Sequence, residues 1–294
     1  MYILDSDACK VWIYSEKGEL IRSFGQKGQG PGELLEPTSL GLLSDGRLAI
    51  ADSGRRQISL FDVEGRSSGV VKITNQAVGD MLVLPADRFL LTKSGGSSIS
   101  FDPTEKVATR FAIYDLEGSR LRVFGKAKTH ENPLLTAFLN QGALAWSGDR
   151  LIFFGKVENE MVIYRDGKER VSRYAPGFEP REPKADMVSE KQPDGSTSFQ
   201  MKVVVDQLCT AMVPLPSDEV LLVRAKERAG EDGDLPLELV RMNLKGKVVA
   251  KLPGLFSGTR DLAVSADGRT VYVPHETEEA WVIHRLDLST GKSF

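Results

Sequence analysis

Apolar positions along this chain fall in short runs broken by polar turns, and one phrase of that kind recurs. A strand-like run, a polar residue and a closing glycine appear at Ile58–Gly65 (ISLFDVEG), Ile113–Gly118 (IYDLEG) and Leu239–Gly246 (LVRMNLKG). Weaker copies stand at Val11–Gly18 (VWIYSEKG), Met161–Gly167 (MVIYRDG) and Trp281–Gly291 (WVIHRLDLSTG). The closing glycines at 18, 65, 118, 167, 246 and 291 are spaced by 47, 53, 49, 79 and 45 residues. Short strands and tight turns repeating at roughly 40–50 residues predict a β-propeller with one four-stranded sheet per repeat. The fold expected is therefore all-β, and the 294 residues accommodate six blades of about 49.

Each repeat divides into strands A to D. The second reads Ser39–Leu43, Arg47–Asp52, Gln57–Phe61 and Gly69–Thr74, all β-branched or aromatic runs bounded by Gly, Asp and Pro. The same division gives a single domain with blades at about 1–36, 37–76, 77–132, 133–206, 207–257 and 258–294. Small residues in the A strands, Gly41, Ala143, Ala145, Ala211 and Ala263, suit the crowding of inner strands around an axis. The first and last blades read as incomplete: Tyr2–Asp5 aligns with strand B, and the chain stops where the last strand D is due. An upstream segment carrying the missing strand, and with it an export signal, is the corresponding expectation.

Connections differ by position. The A–B turns (Ser44-Asp45-Gly46, Ala86-Asp87, Gly148-Asp149, Ser217-Asp218, Ala266-Asp267-Gly268) and the C–D turns are tight, and Asp-Gly or Ser-Gly supplies the positive φ of short hairpins. The B–C and D–A connections hold the insertions: Gly25–Pro37, Ser94–Thr109, Gly125–Leu135, Ala175–Gln207, Ala225–Pro236 and His275–Ala280. In a propeller these gather on one face, the place where a rigid scaffold usually carries its binding loops. The longest, 175–207, reads as a proline-rich arm with a hairpin across Asp194-Gly195.

Composition narrows the function. With 38 Lys and Arg against 41 Asp and Glu, a net charge of −3 gives no general attraction to phosphate backbones, so nucleic acid is not the expected partner. Cys9 and Cys209 lack metal or redox spacing. No apolar stretch is long enough to span a bilayer, and the N-terminus has no leader pattern. The location expected is periplasmic or secreted if the chain derives from an exported protein, otherwise cytoplasmic, and a monomer is expected.

Phe24–Pro37 (FGQKGQGPGELLEP) followed by Leu48–Gly65 (LAIADSGRRQISLFDVEG) resembles the NHL-repeat propellers. The likeness lies in a Phe-Gly connector, a Gly-Pro-Gly turn, and Asp and Arg ahead of an apolar strand. It is specific in the second blade, good late in the first and partial in the third and sixth. The resemblance implies a six-bladed, NHL/TolB-like propeller of the kind common among bacterial exported proteins, with Asp52, Arg56 and Ile58 as structural repeat positions. Asp52 is expected to pair with an arginine across the B–C turn while Ile58 enters the core.

Chemistry is sparse. The glycines at 25, 28, 30 and 32 lack the Gly-Lys-Ser/Thr ending of a phosphate loop and read as a blade connector. His130, His275 and His284 show no HxH or HExxH spacing, and no GxSxG elbow occurs. No catalytic residue, metal or cofactor is assigned. Arg55, Arg56, Arg224 and Arg260 offer guanidinium forks that suit carboxylates, although pairing with neighbouring acids is their simpler use. Arg224, Arg260 and His275 are the candidate ligand-binding residues. The function expected is a non-catalytic binding or scaffold propeller whose long-loop face takes a protein, peptide or glycan. The alternative is a propeller-type lyase or lactonase with a channel-mouth active site.

Overall fold

The structure, a computed structural model, describes the chain except residues 16, 75, 96–97, 100–107, 167, 174–177, 192–196, 217, 230–234, 253–260, 266, 277–280 and 289–294. It is an all-β, six-bladed propeller, as the repeat predicts. The blades fall into two compact units, Met1–Lys128 and Thr129–Phe294, with three blade sheets in each.

In the first unit, β1 (Tyr2–Asp5), β2 (Lys10–Tyr14) and β3 (Leu20–Phe24) form one antiparallel sheet. The next contains β4 (Pro37–Leu42), β5 (Leu48–Asp52), β6 (Gln57–Phe61) and β7 (Ser67–Lys72). The third starts with β8 (Met81–Leu84) and β9 (Arg88–Thr92), passes through a small hairpin of β10 (Ser94–Gly95) and β11 (Ser98–Ile99), and ends with β12 (Thr109–Tyr114) and β13 (Arg120–Lys126).

The second unit opens on a short helix, α1 (Pro133–Leu139). Its first sheet is β14 (Gly142–Ser147), β15 (Arg150–Gly155), β16 (Glu160–Arg165) and β17 (Lys168–Arg173). A separate two-stranded hairpin follows, β18 (Lys184–Lys191) and β19 (Thr197–Val204). Then come β20 (Cys209–Leu215), β21 (Glu219–Ala225), β22 (Leu237–Asn243) and β23 (Val248–Leu252) as one sheet, and β24 (Ala263–Val264), β25 (Thr270–Glu276) and β26 (Trp281–Asp287) as the last. Among the described residues the first and last sheets have three strands.

Successive side chains of a strand point to opposite faces, and in the middle strands both faces are covered. On β5, Leu48 and Ile50 pack with Cys9, Val11 and Leu34, while Ala49 and Ala51 pack with Phe89 and Leu91 of the next sheet. On β21, Val220 and Leu222 meet Ile152 and Phe154 of the preceding sheet, and Leu221 and Val223 meet Val271 and Val273 of the following one. A strand buried on two faces has no polar side to show, which is why these segments read as continuous apolar runs. The outer strands β3 and β7 are largely exposed. At the inner strand β4, a side chain in place of Gly41 would collide with Val83.

One device builds the recurring C–D turn. The carboxylate of Asp62 accepts the amides of Glu64 (3.0 Å) and Arg66 (2.8 Å), and Gly65 takes φ 82°. Asp115 does the same for Glu117 and Ser119, and Asn243 for Lys245 and Lys247. The Ser15 hydroxyl does it for Lys17 and Glu19. In all four copies the register slips by one residue just beyond the turn, a β-bulge.

Two features depart from the sequence reading. The connection expected over Gly125–Leu135 runs into α1, where Asn132 caps the Leu134 amide and Pro133 occupies the first turn. At the A–B turn of the third blade, Ala86 and Asp87 adopt φ 61° and 52° without a glycine.

Two-sided burial has a measurable consequence. Leu222→Ala in fully buried β21 should cost about 2–5 kcal/mol in urea unfolding. Val249→Ala on exposed β23 should change stability by less than about 0.5 kcal/mol.

Candidate functional site

Where the alternation of β5, β9 and β21 runs out of core, it meets a charged position, whereas on β15 that position is Gly155. Asp52 continues the face of Leu48 and Ile50, Lys93 that of Phe89 and Leu91, and Arg224 that of Val220 and Leu222. His275 holds the corresponding register position on β25, opposite Val282. Arg260 lies outside the described residues.

Asp52, Lys93 and Arg224 are buried and engaged. Asp52 is fully buried, and its two oxygens accept the amides of Leu35 and Glu36, each at 3.0 Å. The arginine partner expected for Asp52 is thus replaced by backbone. Arg56 instead supplies a turn conformation, φ 51°, and a carbonyl that accepts the Ile73 amide at 3.0 Å. Ile58 is fully buried in the core with Ala49, Ala51 and Leu60. It is Arg55 that does the gripping: its guanidinium donates to the carbonyls of Gln29 (3.1 Å), Gly30 (3.2 Å) and Glu33 (2.7 Å). Together Asp52 and Arg55 hold the Gly25–Pro37 connector, whose own Glu33 accepts the Gly30 amide at 2.6 Å. The glycine-rich segment is therefore a braced loop. Lys93, also fully buried, donates to Thr109 Oγ1 at 2.9 Å.

Arg224 is buried against Glu238, its cross-strand neighbour, at 2.6 Å, and Glu238 also meets Lys251 at 2.7 Å. Burial pushes the Glu238 carboxyl up, but Lys251 and Arg224 outweigh it and hold the carboxyl below its ordinary value. Arg224 gives two N–H groups to one Glu238 oxygen and Lys251 takes the other, so the three side chains link three strands of the sheet.

The long insertion has the most distinct construction. β18 and β19 pair over their full lengths, from Lys184 opposite Val204 to Lys191 opposite Thr197; the Asp194-Gly195 turn lies outside the described residues. In that register Ala185 stands opposite Val203 and Asp186 opposite Lys202. Buried Asp206 ties the base together. It accepts the Arg181 amide at 2.7 Å and the Arg181 guanidinium at 2.5 Å, and pairs with Arg228 at 3.4 Å. Arg228 in turn donates to the Glu179 carbonyl at 2.6 Å. Burial raises the Asp206 carboxyl, and Arg181 and Arg228 more than offset it, so its titration falls below the ordinary value of 3.8. Sequence reasoning missed this clamp because its members are separated by 25 and 22 residues. The one visible signal is an acid directly after the apolar run Val203–Val205.

Among the described residues, no group of three or more His, Cys, Asp and Glu stands close enough to hold a metal, and no helix is long and apolar enough to cross a membrane. Cys9 and Cys209 are separate buried thiols; burial pushes Cys209 up to about 12.

A family model described as "6-bladed beta-propeller" matches residues 1–208. No curated protein matches the chain. Among solved structures, a catalytically inactive virginiamycin B lyase from Staphylococcus aureus with quinupristin aligns over 98% of this chain and 90% of that one, at 12% identity and a TM-score of 0.54. The structure of U3-55K aligns over 92% and 83%, at 12% identity and a TM-score of 0.53. The WD40 repeats of RRP9 align over 92% and 82%, at 12% identity and a TM-score of 0.53. At that identity these likenesses speak for fold alone.

The Asp206 clamp is testable by pH. A carboxyl with a depressed folded value stabilises the fold above its ordinary value and loses that contribution as pH falls through the folded one. Asp206→Asn should lower the melting temperature at pH 7, and the gap from the native protein should close as pH drops below 3.8. The thiols give a second check: a thiol reagent at pH 8 should leave the folded protein unmodified and label both cysteines after denaturation.

Proposed function

The chain belongs to the 6-bladed β-propeller family, and from that membership we propose that it is a non-catalytic binding or scaffold protein whose long connections take a protein or peptide partner. The observation that carries this reading is the β18–β19 arm. A two-stranded hairpin is marginal by itself, so a clamp of one buried carboxylate and two arginines at its base is an investment in its position. The arm's sequence supplies two methionines and a phenylalanine, Met187, Met201 and Phe199, residue types suited to adaptable contact. A glycan would call instead for exposed planar and polar groups at the same rim.

Arg224 supports that reading differently from the sequence expectation. Paired with Glu238 in the sheet, it acts as a brace for the rim, and a ligand role passes to groups on the arm and adjoining loops. His275, near the end of β25, and Arg260, outside the described residues, stay in the proposal as candidate ligand residues. A lyase or lactonase would instead need a convergent set of histidine and carboxylate at strand-B ends. In this chain Asp52 and Arg224, two of those positions, are consumed by structural hydrogen bonds.

The test is a comparison of two ends. Replacing 184–204 with a short Gly-Ser linker should abolish capture of peptides or proteins from a displayed library while the urea midpoint of the propeller moves little. Glu64→Ala and Glu117→Ala, in the tight C–D turns, should leave capture unchanged. Loss of capture in the turn variants with retention in the armless protein would overturn the proposal.

A further inference from the structure

Ion pairs at the outer corner of the second unit leave a surplus of one sign. On the β14–β17 sheet, Arg165 pairs with Asp149 at 2.7 Å and lies 3.9 Å from Asp166. At the next sheet, Asp218 meets Arg150, Glu219 meets Arg241 at 2.7 Å, and Glu238 meets Arg224 and Lys251. These acids are all answered. Lys168 and Arg170 on β17 and Lys245 and Lys247 in the β22–β23 turn are exposed, and no ion pair reaches them among the described residues.

Backbone geometry gathers these four cations. The Arg170 guanidinium donates to the Leu244 carbonyl at 2.5 Å, which fastens β17 to the β22–β23 turn one residue before Lys245. That bond uses one N–H of the guanidinium and sets its fork in place, an arrangement that suits a carboxylate. The Asn243 side-chain oxygen accepts the Lys245 and Lys247 amides at 3.0 and 3.1 Å, so the turn presenting both lysines is itself fixed. β17 pairs with β16 without a bulge from Lys168 to Arg173, so its side chains alternate strictly. Lys168 therefore shares the face of Arg170, while Glu169, the one acid of the strand, stands on the other.

We propose that this seam, where β17 meets the β22–β23 turn, is a docking site for an acidic segment of a partner protein. Arg170 receives a carboxylate on its fork, and Lys168, Lys245 and Lys247 attract and orient the rest of the segment. Charge complementarity selects the occupant. Within a chain of net charge −3 this corner attracts acids, and a second copy meeting it with the same corner would set like charges together. A lipid surface or a nucleic acid would use the same charges, but β17 and Lys245–Lys247 carry no aromatic or long apolar side chain to enter a bilayer or stack on bases. The site lies on an outer strand and a tight turn, so it stands or falls independently of the arm.

A short blocked peptide of alternating Glu and Ala is the probe, with its Lys–Ala counterpart as control. The Glu peptide should bind at low salt, release as salt rises, and couple under carbodiimide to Lys168, Lys245 or Lys247, located by mass spectrometry. Lys168→Glu combined with Lys245→Glu should weaken binding about tenfold or more, with a melting temperature near that of the native protein. Arg170→Lys, which keeps the charge and loses the fork, should weaken it about threefold or more. Lys17→Glu combined with Lys72→Glu, the same change of net charge in the first unit, should leave it unaltered. If a variant fails to fold, the coupling pattern on the native protein decides by itself. Absence of binding, coupling only elsewhere, equal binding of the Lys peptide, or equal loss in the Lys17 and Lys72 variant would each overturn the proposal. So would tighter binding of phosphatidylserine vesicles or of an oligo-dT strand than of the peptide.

Discussion

The structure depends on burying both faces of its middle strands. A sheet with one covered face needs apolar residues only at alternate positions, whereas β5 and β21 are buried along most of their lengths. Each fully buried Leu, Ile or Val contributes about 1.5–3 kcal/mol relative to exposure, so a pair of such strands supplies much of a blade's stability. The two faces are not equivalent. Ala49 and Ala51 lie where Phe89 and Leu91 arrive from the next sheet, while Leu48 and Ile50 fill the space on the other side. Large against small across a contact keeps adjacent sheets close without voids, the condition for dense packing. A one-residue slip of β5 would exchange these sets and spoil both interfaces at once, so register and packing enforce one another.

The polar turns solve a complementary problem. A hairpin leaving a buried strand must satisfy its amides without reaching back into the core. One side-chain oxygen at the first turn position accepts two of them, which explains why Asp62, Asp115, Asn243 and Ser15 are interchangeable there. Any short acceptor serves, and negative charge is incidental. The glycine that follows is demanded by the left-handed φ of the turn, 82° at Gly65, Gly118 and Gly246. The bulge then tilts the outer strand, so that its residues leave the buried environment and its composition is freed for other uses.

That division also sets what the sequence could reveal. Two-sided burial and turn chemistry are local, and both were readable: Gln57–Phe61 stands in the structure as the apolar run between its polar borders indicates. Pairings across the chain were not. Asp52 reads as the partner of an arginine across the B–C turn, whereas its partners are amides 16 and 17 residues away, and Arg55 grips the connector. Arg224 looked like a ligand residue because a cation at the end of an apolar strand has no sequence-local explanation; Glu238, across a long loop, provides one. α1 was hidden for another reason. Seven residues are too few to show a helical period, and only the Asn132-Pro133 start marked it. In the arm, the Asp-Gly turn signalled a hairpin, but nothing near it announced that Asp206 would fasten the base.

Repetition itself points to where specificity has to reside. In the blades, the two inner faces, the turn acceptor and the glycine are fixed by packing and backbone geometry, so substitutions there change stability before they change recognition. At the ends of the B strands the constraint weakens, and the same register position holds Asp52, Lys93 and Arg224, three different charges with three different local solutions. Past that point the connections are free of the repeat altogether. The largest excess of chain, the 79-residue spacing between Gly167 and Gly246, is spent on a hairpin braced from its own base by Arg181, Asp206 and Arg228. Burying a carboxylate costs desolvation, and here two guanidinium groups and a backbone amide offset it, so the clamp fixes the base of the arm.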